Sequence, residues 1–268
     1  MVHRVKDKVI VITGASMGIG EALAVEVAKR GAKGVVLASR READLGKVAK
    51  QIGPTAFAVQ TDVTIRGDLD RLRDKTLERF GQLDVLVNNA GRGISRMVSE
   101  LTDDDIDDMM TTNLKSVVYG IQAVLPHFKQ QKRGQIVTIS SGLARFPFAA
   151  QRSAYAAAKA AVNLLMGSLR MELRAAFPEI HATTVMPGVV ATDFGKNALH
   201  GGMDSRSLPG AQPVEEVAQV IANAIENPVA ECYTRPQMRE LAAAYFSAED
   251  VGAIEGRPPF FASPPAKA

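Results

Sequence analysis

The chain is poor in the residues that several classes of site require. Its 268 residues include a single cysteine, Cys232, which excludes an intrachain disulfide and a metal site built from cysteines. Four scattered histidines without an HExxH motif give no support for metal catalysis. Lysine and arginine are dispersed rather than clustered and the formal net charge is +3, so nucleic-acid binding is not indicated.

Long apolar segments are also missing. No run of about 18 apolar residues occurs, so we expect no membrane-spanning helix. The first residues enter a strand-like segment without the apolar core of a signal peptide, and the expected location is cytoplasmic. No repeat, low-complexity block or long linker divides residues 1–255, which we expect to form one domain, followed by a proline-rich tail at 256–268.

What the chain does contain is a regular alternation of β-branched runs and helical stretches. Strands are predicted at 9–13, 34–38, 56–60, 83–87, 135–139, 180–186 and 231–234. Helices are predicted at 21–30, 44–52, 69–80, 103–129, 154–177 and 214–226. The alternation predicts an α/β fold, a Rossmann-type doubly wound parallel sheet with helices on both faces. The irregular, glycine-rich segment 193–210 is expected to be a mobile lid or substrate loop, with a passive surface connection as the alternative.

A glycine-rich loop joins the first predicted strand to the first predicted helix. Its glycines follow the spacing Gly-x-x-x-Gly-x-Gly. After such a loop the helix N-terminus can hold a pyrophosphate on its backbone N–H groups and dipole. The candidate nucleotide contacts are Gly14, Ser16, Met17, Gly18, Ile19 and Gly20.

The second predicted strand runs into Ser39, Arg40 and Arg41. A carboxylate at this point would bind the ribose 2′-hydroxyl of NAD, whereas a guanidinium suits a 2′-phosphate. The residues present therefore favour NADP(H) over NAD(H). The alternative is that Arg40 is a solvated loop residue, and Glu42 and Asp44 add negative charge nearby.

Polar residues follow the ends of two further strands and begin one helix. Asn88 to Gly91 follow the fourth strand, and Ser140 and Ser141 the fifth, so these segments share one sheet edge with the glycine loop. Tyr155 and Lys159 lie one helical turn apart in an alanine-rich segment. A nearby ammonium favours the phenolate and lowers the tyrosine pKa from about 10. Alone the pair is more typical of an ordinary helix, but the convergence of four motifs favours a site.

These motifs together resemble the short-chain dehydrogenase/reductase family. The matching segments are Thr13-Gly-Ala-Ser-Met-Gly-Ile-Gly20, Asn88-Asn-Ala-Gly91, Ser141, Tyr155-Ala-Ala-Ala-Lys159 and Pro187-Gly-Val-Val-Ala-Thr192. The resemblance covers roughly residues 5–192. It implies hydride transfer between a nicotinamide cofactor and a small-molecule carbonyl or alcohol.

The resemblance also implies roles for individual residues. Tyr155 would be the catalytic acid/base, and Lys159 would lower its pKa and hold the nicotinamide ribose. Ser141 would hydrogen-bond the substrate oxygen, and Asn113 would anchor a water in a proton relay toward Lys159. Further cofactor contacts are implied at Asp62, Val63, Asn89, Ala90, Gly91, Pro187, Gly188, Val190 and Thr192. Ser141 lies one residue further from Tyr155 than in many family members, so Ser140 is the alternative.

The substrate contacts are expected after these motifs and in the segment 193–210. Most candidates are apolar, which suggests a hydrophobic ketone or secondary alcohol: Leu143, Phe146, Phe148, Met97, Phe194 and Leu199. Arg92 or Arg145 would instead recognise an anionic group, and core packing or a subunit interface is the alternative for each residue. The resemblance further implies a homodimer or homotetramer formed through the two long helices.

Two other functions use related folds. A redox-sensing binding protein usually lacks the Tyr/Lys pair that this chain retains. An epimerase or dehydratase belongs to an extended branch, from which the glycine spacing and the short length of this chain differ.

Overall fold

The computed structural model describes residues 5–255 and contains a seven-stranded, wholly parallel sheet in the order β3-β2-β1-β4-β5-β6-β7. The strands are β1 Val9–Thr13, β2 Gly34–Ser39, β3 Ala56–Gln60, β4 Val85–Asn88, β5 Gly134–Ile139, β6 Ile180–Met186 and β7 Glu231–Tyr233. All seven were predicted, with ends that differ by two residues at most. The expected tail, 256–268, lies outside the described residues.

Helices cover both faces of this sheet. They are α1 Gly18–Lys29, α2 Glu42–Ile52, α3 Arg66–Phe80, α4 Asp103–Met110, α5 Ser116–Gln131, α6 Ser153–Leu173, α7 Val214–Glu226, α8 Pro236–Ser247 and α9 Val251–Glu255. One core packs α1, α2 and α7 on the face of Ile10 and Ile12, and the other packs α3, α5 and α6 on the face of Val9 and Val11. Alternate residues of β1 therefore enter opposite cores, which explains why the whole strand is apolar. The predicted doubly wound fold is confirmed.

The winding of the chain reverses at β1. This strand has β2 on one side and β4 on the other. The chain adds β2 and β3 on the first side of β1, and then β4 to β7 on the second side. In such sheets a crevice forms beyond the carboxyl ends of the strands at the reversal. The glycine loop and the segment after β4 flank it.

The helix predicted at 103–129 has a more complex form. It consists of α4, a π-helical stretch Thr111–Lys115 and α5, which ends at Gln131. A π turn holds one more residue than an α turn and is frequent at functional sites. Asn113 lies in this stretch. No periodicity in the sequence predicts the π-helical geometry.

Two further features depart from the sequence expectations. The helix predicted at 154–177 ends at Leu173, and α8 and α9 were not predicted. Helix α8 packs against Phe146 and Phe148. None of the helices within 5–255 is sufficiently long and apolar to span a bilayer.

The segment 193–210 is irregular, with one 3-10 turn at Ser205–Ser207. Leu199 pairs with the segment after β4: its backbone N–H donates to the Gly93 carbonyl at 2.8 Å, and its carbonyl accepts from Ser95 N at 2.9 Å. His200 Nε2 lies 2.6 Å from a carboxylate oxygen of the buried Asp105 on α4. These contacts seat the segment over the crevice.

Candidate active site

A cavity of about 800 Å³ lies at the carboxyl edge of the sheet. It is bordered by the glycine loop, the segments after β2, β4, β5 and β6, the start of α6 and the segment 193–210. Most predicted site residues line it: Gly14, Ser16, Met17, Gly18, Ile19, Ser39, Arg40, Arg41, Asp62, Val63, Asn89, Ala90, Gly91, Ser141, Tyr155, Lys159, Pro187, Gly188, Val190 and Thr192. Gly20 and Asn113 lie behind its walls.

Close backbone approaches shape the glycine loop. Gly14 has a φ of +67°, and a Cβ there would lie 2.9 Å from the Ala90 Cα. A Cβ on Gly20 would collide with the Gly14 carbonyl oxygen. Thr13 Oγ1 accepts hydrogen bonds from the backbone N–H groups of Asn89 and Ala90, each at 3.0 Å. The loop is thereby fixed against the segment after β4, and the start of α1 faces the cavity with its unpaired N–H groups.

Two arginines border the part of the cavity near β2. A terminal nitrogen of Arg41 donates to Ser16 Oγ at 3.2 Å, and the Arg41 backbone N–H donates to Ser39 Oγ at 3.1 Å. Arg40 is 74% exposed in its side chain and lies 4.0 Å from Asp62. The guanidinium that contacts the glycine loop therefore belongs to Arg41, and Arg40 is largely solvated, as the alternative for this residue proposed.

Ser141 and Tyr155 meet at the opposite end of the cavity. Ser141 follows β5, and its Oγ accepts from the Leu143 backbone N–H at 3.2 Å. Burial raises the pKa of Tyr155 to about 12, while its hydrogen bond with Ser141 and the charge of Arg152 act in the opposite direction. Ser140 Oγ instead donates to the Lys159 carbonyl at 3.3 Å, so the hydroxyl beside Tyr155 is that of Ser141.

Lys159 is almost wholly buried on the same face of α6. Its Nζ donates to the Ile139 carbonyl at 2.8 Å and lies 5.8 Å from the centre of the Tyr155 ring. Burial lowers the pKa of Lys159 to about 8. In this structure the cation that acts on the Tyr155 pKa is Arg152, so the effect expected of Lys159 stays a prediction.

Asn113 supports the segment after β4 from behind. Its Oδ1 accepts from the Arg92 backbone N–H at 3.1 Å, and its Nδ2 donates to the carbonyls of Arg92 and Met109 at 3.0 and 3.1 Å. A Cβ on Gly91 would lie 2.8 Å from Asn113 Oδ1 and 3.5 Å from Lys159 Nζ. Only a glycine lets this backbone pass between the two side chains, so Asn113 fixes the wall on which Lys159 packs.

Apolar side chains form part of the cavity lining near Tyr155. Leu143, Phe148 and Phe194 line it, and the rings of Tyr155 and Phe194 have centroids 5.4 Å apart. Four other expected contacts were wrong. Phe146 is buried against α8, and Arg145 pairs with Glu231. Met97 is 46% exposed and does not line the cavity, and Leu199 packs into the cluster that contains Ile94 and Met109. Phe146 is buried by α8, a helix that the sequence did not predict, and Arg145 pairs with a residue of β7.

Sequence reasoning missed Arg152, which also lines the cavity. It lies at the N-cap position of α6, three residues before Tyr155. Residues three apart on a helix are surface neighbours. The three-residue spacing from Tyr155 could therefore have identified Arg152 as a candidate from the sequence.

Known proteins resemble this chain in sequence and in fold. A model of the short chain dehydrogenase family matches residues 8–201. An uncharacterized oxidoreductase of Listeria innocua is 39% identical over 235 residues, which are 84% of this chain and 92% of that protein. A short chain dehydrogenase/reductase from Burkholderia phymatum in complex with NAD has a TM-score of 0.82 and 25% identity, with 90% of this chain and 93% of that chain covered.

A second solved structure carries a different cofactor. An alcohol dehydrogenase from the archaeon Thermococcus sibiricus, complexed with 5-hydroxy-NADP, has a TM-score of 0.74 and 29% identity over 85% of this chain and 96% of that chain. From the family match and the Listeria relative, the chain belongs to the short-chain dehydrogenase family of oxidoreductases.

Proposed function

We propose that this protein is an NADP(H)-dependent oxidoreductase that interconverts a ketone and a secondary alcohol. The observation that carries the proposal is the meeting of Ser141, Tyr155 and Lys159 at one end of a cavity whose other end is the glycine loop. The first end can donate a proton to the substrate and stabilise a developing oxyanion. The second end can bind a dinucleotide diphosphate.

The residues of the cavity suit a nicotinamide dinucleotide. Gly14 and Gly18, both with positive φ, keep the loop free of side chains where a diphosphate would approach backbone N–H groups. Asp62 and Val63 would meet the adenine, and Lys159 the nicotinamide ribose. When bound, the cofactor supplies or accepts the hydride. The proteins of similar fold include an NAD complex and an NADP-analogue complex, so preference has to be argued from this chain.

Arg41 is the residue that favours NADP(H). It is held at the edge of the glycine loop by Ser16 and Ser39, where a 2′-phosphate would replace the weak contact of 3.8 Å between Arg41 and Asp44. A guanidinium forms strong, charge-assisted bonds with phosphate oxygens. Ser39 at the end of β2 provides no carboxylate for the 2′-hydroxyl of NAD.

Tyr155 would move the proton. In the reduction direction its phenol gives a proton to the carbonyl oxygen as the hydride arrives at the carbonyl carbon, which yields the neutral alcohol. Ser141 would donate a hydrogen bond to the same oxygen and stabilise its developing charge. The phenolate left on Tyr155 would be stabilised by the cations of Arg152 and Lys159 until a solvent proton restores the phenol.

The substrate is proposed to be largely hydrophobic, because Leu143, Phe148 and Phe194 line the cavity near Tyr155. A panel of ketones, with NADPH oxidation followed by absorbance, tests the function. Tyr155→Phe should lower kcat by about 10²- to 10⁴-fold while NADPH binding, measured by fluorescence, persists. Tyr119→Phe on α5, at a tyrosine that does not line the cavity, is the matched control. Turnover preserved in Tyr155→Phe would refute the mechanism.

A homodimer or homotetramer formed through α5 and α6 is part of the proposal. Leu164 and Met171 are 78% and 80% exposed on α6. Residues seven apart share one helix face. Large apolar side chains exposed together indicate a contact surface, and a second copy of the chain would cover them.

A further inference from the structure

Arg152 faces the end of the cavity where Tyr155 lies. Its guanidinium is close enough for its charge to lower the pKa of Tyr155, against the effect of burial. Its position is fixed by backbone contacts: Arg152 pairs with Arg96 in an isolated parallel bridge, and Arg96 N donates to the Gln151 carbonyl at 2.8 Å. Arg152 is therefore placed by the fold at the substrate side of Tyr155, and Lys159 lies one turn beyond on the other side.

The guanidinium has few partners in the protein. One terminal nitrogen donates to the Ile94 carbonyl at 3.0 Å. No carboxylate of residues 5–255 lies within 4.0 Å of Arg152. The other three cavity arginines each have one within that distance, in the pairs Arg40–Asp62, Arg41–Asp44 and Arg92–Asp108. Since arginine carries several N–H donors, most of those on Arg152 remain for a ligand.

Two glycines border this guanidinium. A Cβ on Gly93 would lie 3.0 Å from one terminal nitrogen of Arg152, and a Cβ on Gly202 would lie 3.2 Å from the other. Gly93 follows β4 and Gly202 belongs to the segment 193–210, so both sides of the cavity leave room for the planar group. Burial lowers the pKa of Arg152, which means that the cation is incompletely solvated. An anion bound beside the guanidinium would compensate for the interactions with water that burial removes.

We propose that Arg152 binds a carboxylate of the substrate, which makes the substrate class an oxo acid or the corresponding hydroxy acid. The inference rests on the proposed function, because Tyr155 marks where the reacting carbonyl lies. Arg152 and Tyr155 line the same cavity and the charge of Arg152 acts on the Tyr155 phenol, so a carboxylate bound by Arg152 would lie close to the reacting carbon, as in a 3-oxo acid. The planar guanidinium matches a carboxylate with two parallel hydrogen bonds. Leu143, Phe148 and Phe194 then receive the alkyl part.

A matched substrate pair tests this assignment. The substrates 3-oxohexanoate and methyl 3-oxohexanoate differ in charge and share the reacting ketone. We expect the ratio of their kcat/KM values, acid over ester, to fall at least about thirtyfold in Arg152→Gln, because loss of one partner strands the other charge. Arg152→Lys should keep part of the ratio. A loss of folding or of cofactor binding would lower kcat/KM for both substrates by the same factor and would leave their ratio unchanged.

Two further variants locate the effect. Arg239→Gln removes an exposed arginine of α8, outside the cavity, and should leave the ratio at the wild-type value. Arg92→Gln removes the second arginine near the substrate end of the cavity. A thirtyfold fall in Arg92→Gln, with no fall in Arg152→Gln, would overturn the assignment to Arg152.

A binding measurement separates this inference from the proposed function. Calorimetric titration of hexanoate and hexanamide into the protein with NADP⁺ measures anion recognition without turnover. We expect hexanoate to bind at least about thirtyfold more tightly than hexanamide, with the preference lost in Arg152→Gln. Ketone reduction without that preference would overturn the carboxylate site and leave the proposed function. The preference without reduction of any ketone would overturn the function and leave the anion site.

Discussion

Arg41 donates a hydrogen bond to Ser16 Oγ at 3.2 Å, and this contact joins the end of β2 to the glycine loop. Arg41 is thus held where a 2′-phosphate would lie, and Arg40 points largely to solvent. Arg41→Glu should weaken NADPH binding at least about ten- to a hundredfold, because it removes a charge-assisted hydrogen bond and places a carboxylate beside the 2′-phosphate, and it should affect NADH much less. Fluorescence titrations of both cofactors measure this.

Arg40→Glu is the matched variant for that titration. We expect Arg40→Glu to reduce NADPH affinity less than Arg41→Glu does, because the Arg40 side chain is 74% exposed and its charge is screened by solvent. An unchanged NADPH to NADH affinity ratio in Arg41→Glu would contradict the preference for NADP(H).

Ser140 and Ser141 should differ sharply when each is replaced by alanine. Ser141→Ala removes the hydroxyl beside Tyr155 and should lower kcat by about 10²- to 10³-fold, the usual effect of losing one oxyanion donor. Ser140→Ala removes the hydrogen bond to the Lys159 carbonyl and should cost about 1 kcal/mol of folding free energy. Steady-state kinetics and urea unfolding separate the two. The reverse pattern would assign the catalytic hydroxyl to Ser140.

Gly14→Ala should impair cofactor binding more than it impairs folding. The variant has to adopt a φ of +67°, and its Cβ would lie 2.9 Å from the Ala90 Cα, in the cavity wall. Gly81→Ala is the control, since Gly81 is left-handed with a φ of +64° and no atom lies within 4 Å of the added Cβ. Both variants should lose about 1–2 kcal/mol of stability through left-handed backbone strain. Only Gly14→Ala should also weaken NADPH binding at least about tenfold, and equal cofactor affinities would refute the role of the loop.

Asp105 should stabilise the segment 193–210 in a pH-dependent way. The hydrogen bond with His200 holds the pKa of Asp105 well below its usual range, with help from the Thr102 backbone N–H and Arg96. A carboxyl with a depressed folded pKa contributes stability above its unfolded pKa of about 3.9, and this contribution is lost as the pH falls toward the folded value. Asp105→Asn should therefore lower the urea midpoint at pH 7.

The difference in urea midpoint between the wild type and Asp105→Asn should narrow as the pH falls below about 4. Below that pH the wild-type carboxylate is protonated in the unfolded chain. Urea unfolding of both proteins over this range measures it. A midpoint difference that stays constant with pH would show that the carboxylate charge is not what holds the segment.

Oligomerisation should depend on the exposed face of α6. A double variant, Leu164→Glu with Met171→Glu, places two charges on that face and should reduce the assembly to a smaller species in light scattering after gel filtration. Phe246→Glu on α8, where the side chain is 65% exposed, is the control. An unaltered mass in the double variant would remove α6 from the interface.

The amino-acid sequence by itself determined the architecture and the main motifs. The β-branched runs, the helical stretches between them and the glycines of the first turn are local patterns, and local patterns are enough to specify a parallel, doubly wound sheet. In such a sheet the strand ends share one edge, so Ser141, Tyr155 and Asn89 could be expected near one another. Tyr155 and Lys159 needed only helical spacing to lie on one face of α6.

Tertiary structure alone decided which of two neighbouring residues makes each contact at the site. Ser141 rather than Ser140 meets Tyr155, and Arg41 rather than Arg40 reaches the glycine loop. Phe148 lines the cavity whereas Phe146 is buried beneath α8, a helix that lies far away along the chain. These choices depend on side-chain directions in turns and on long-range packing, which no local period encodes. The lack of a carboxylate beside Arg152 within the described residues is of the same kind, because partners distant in sequence meet only once the chain has folded.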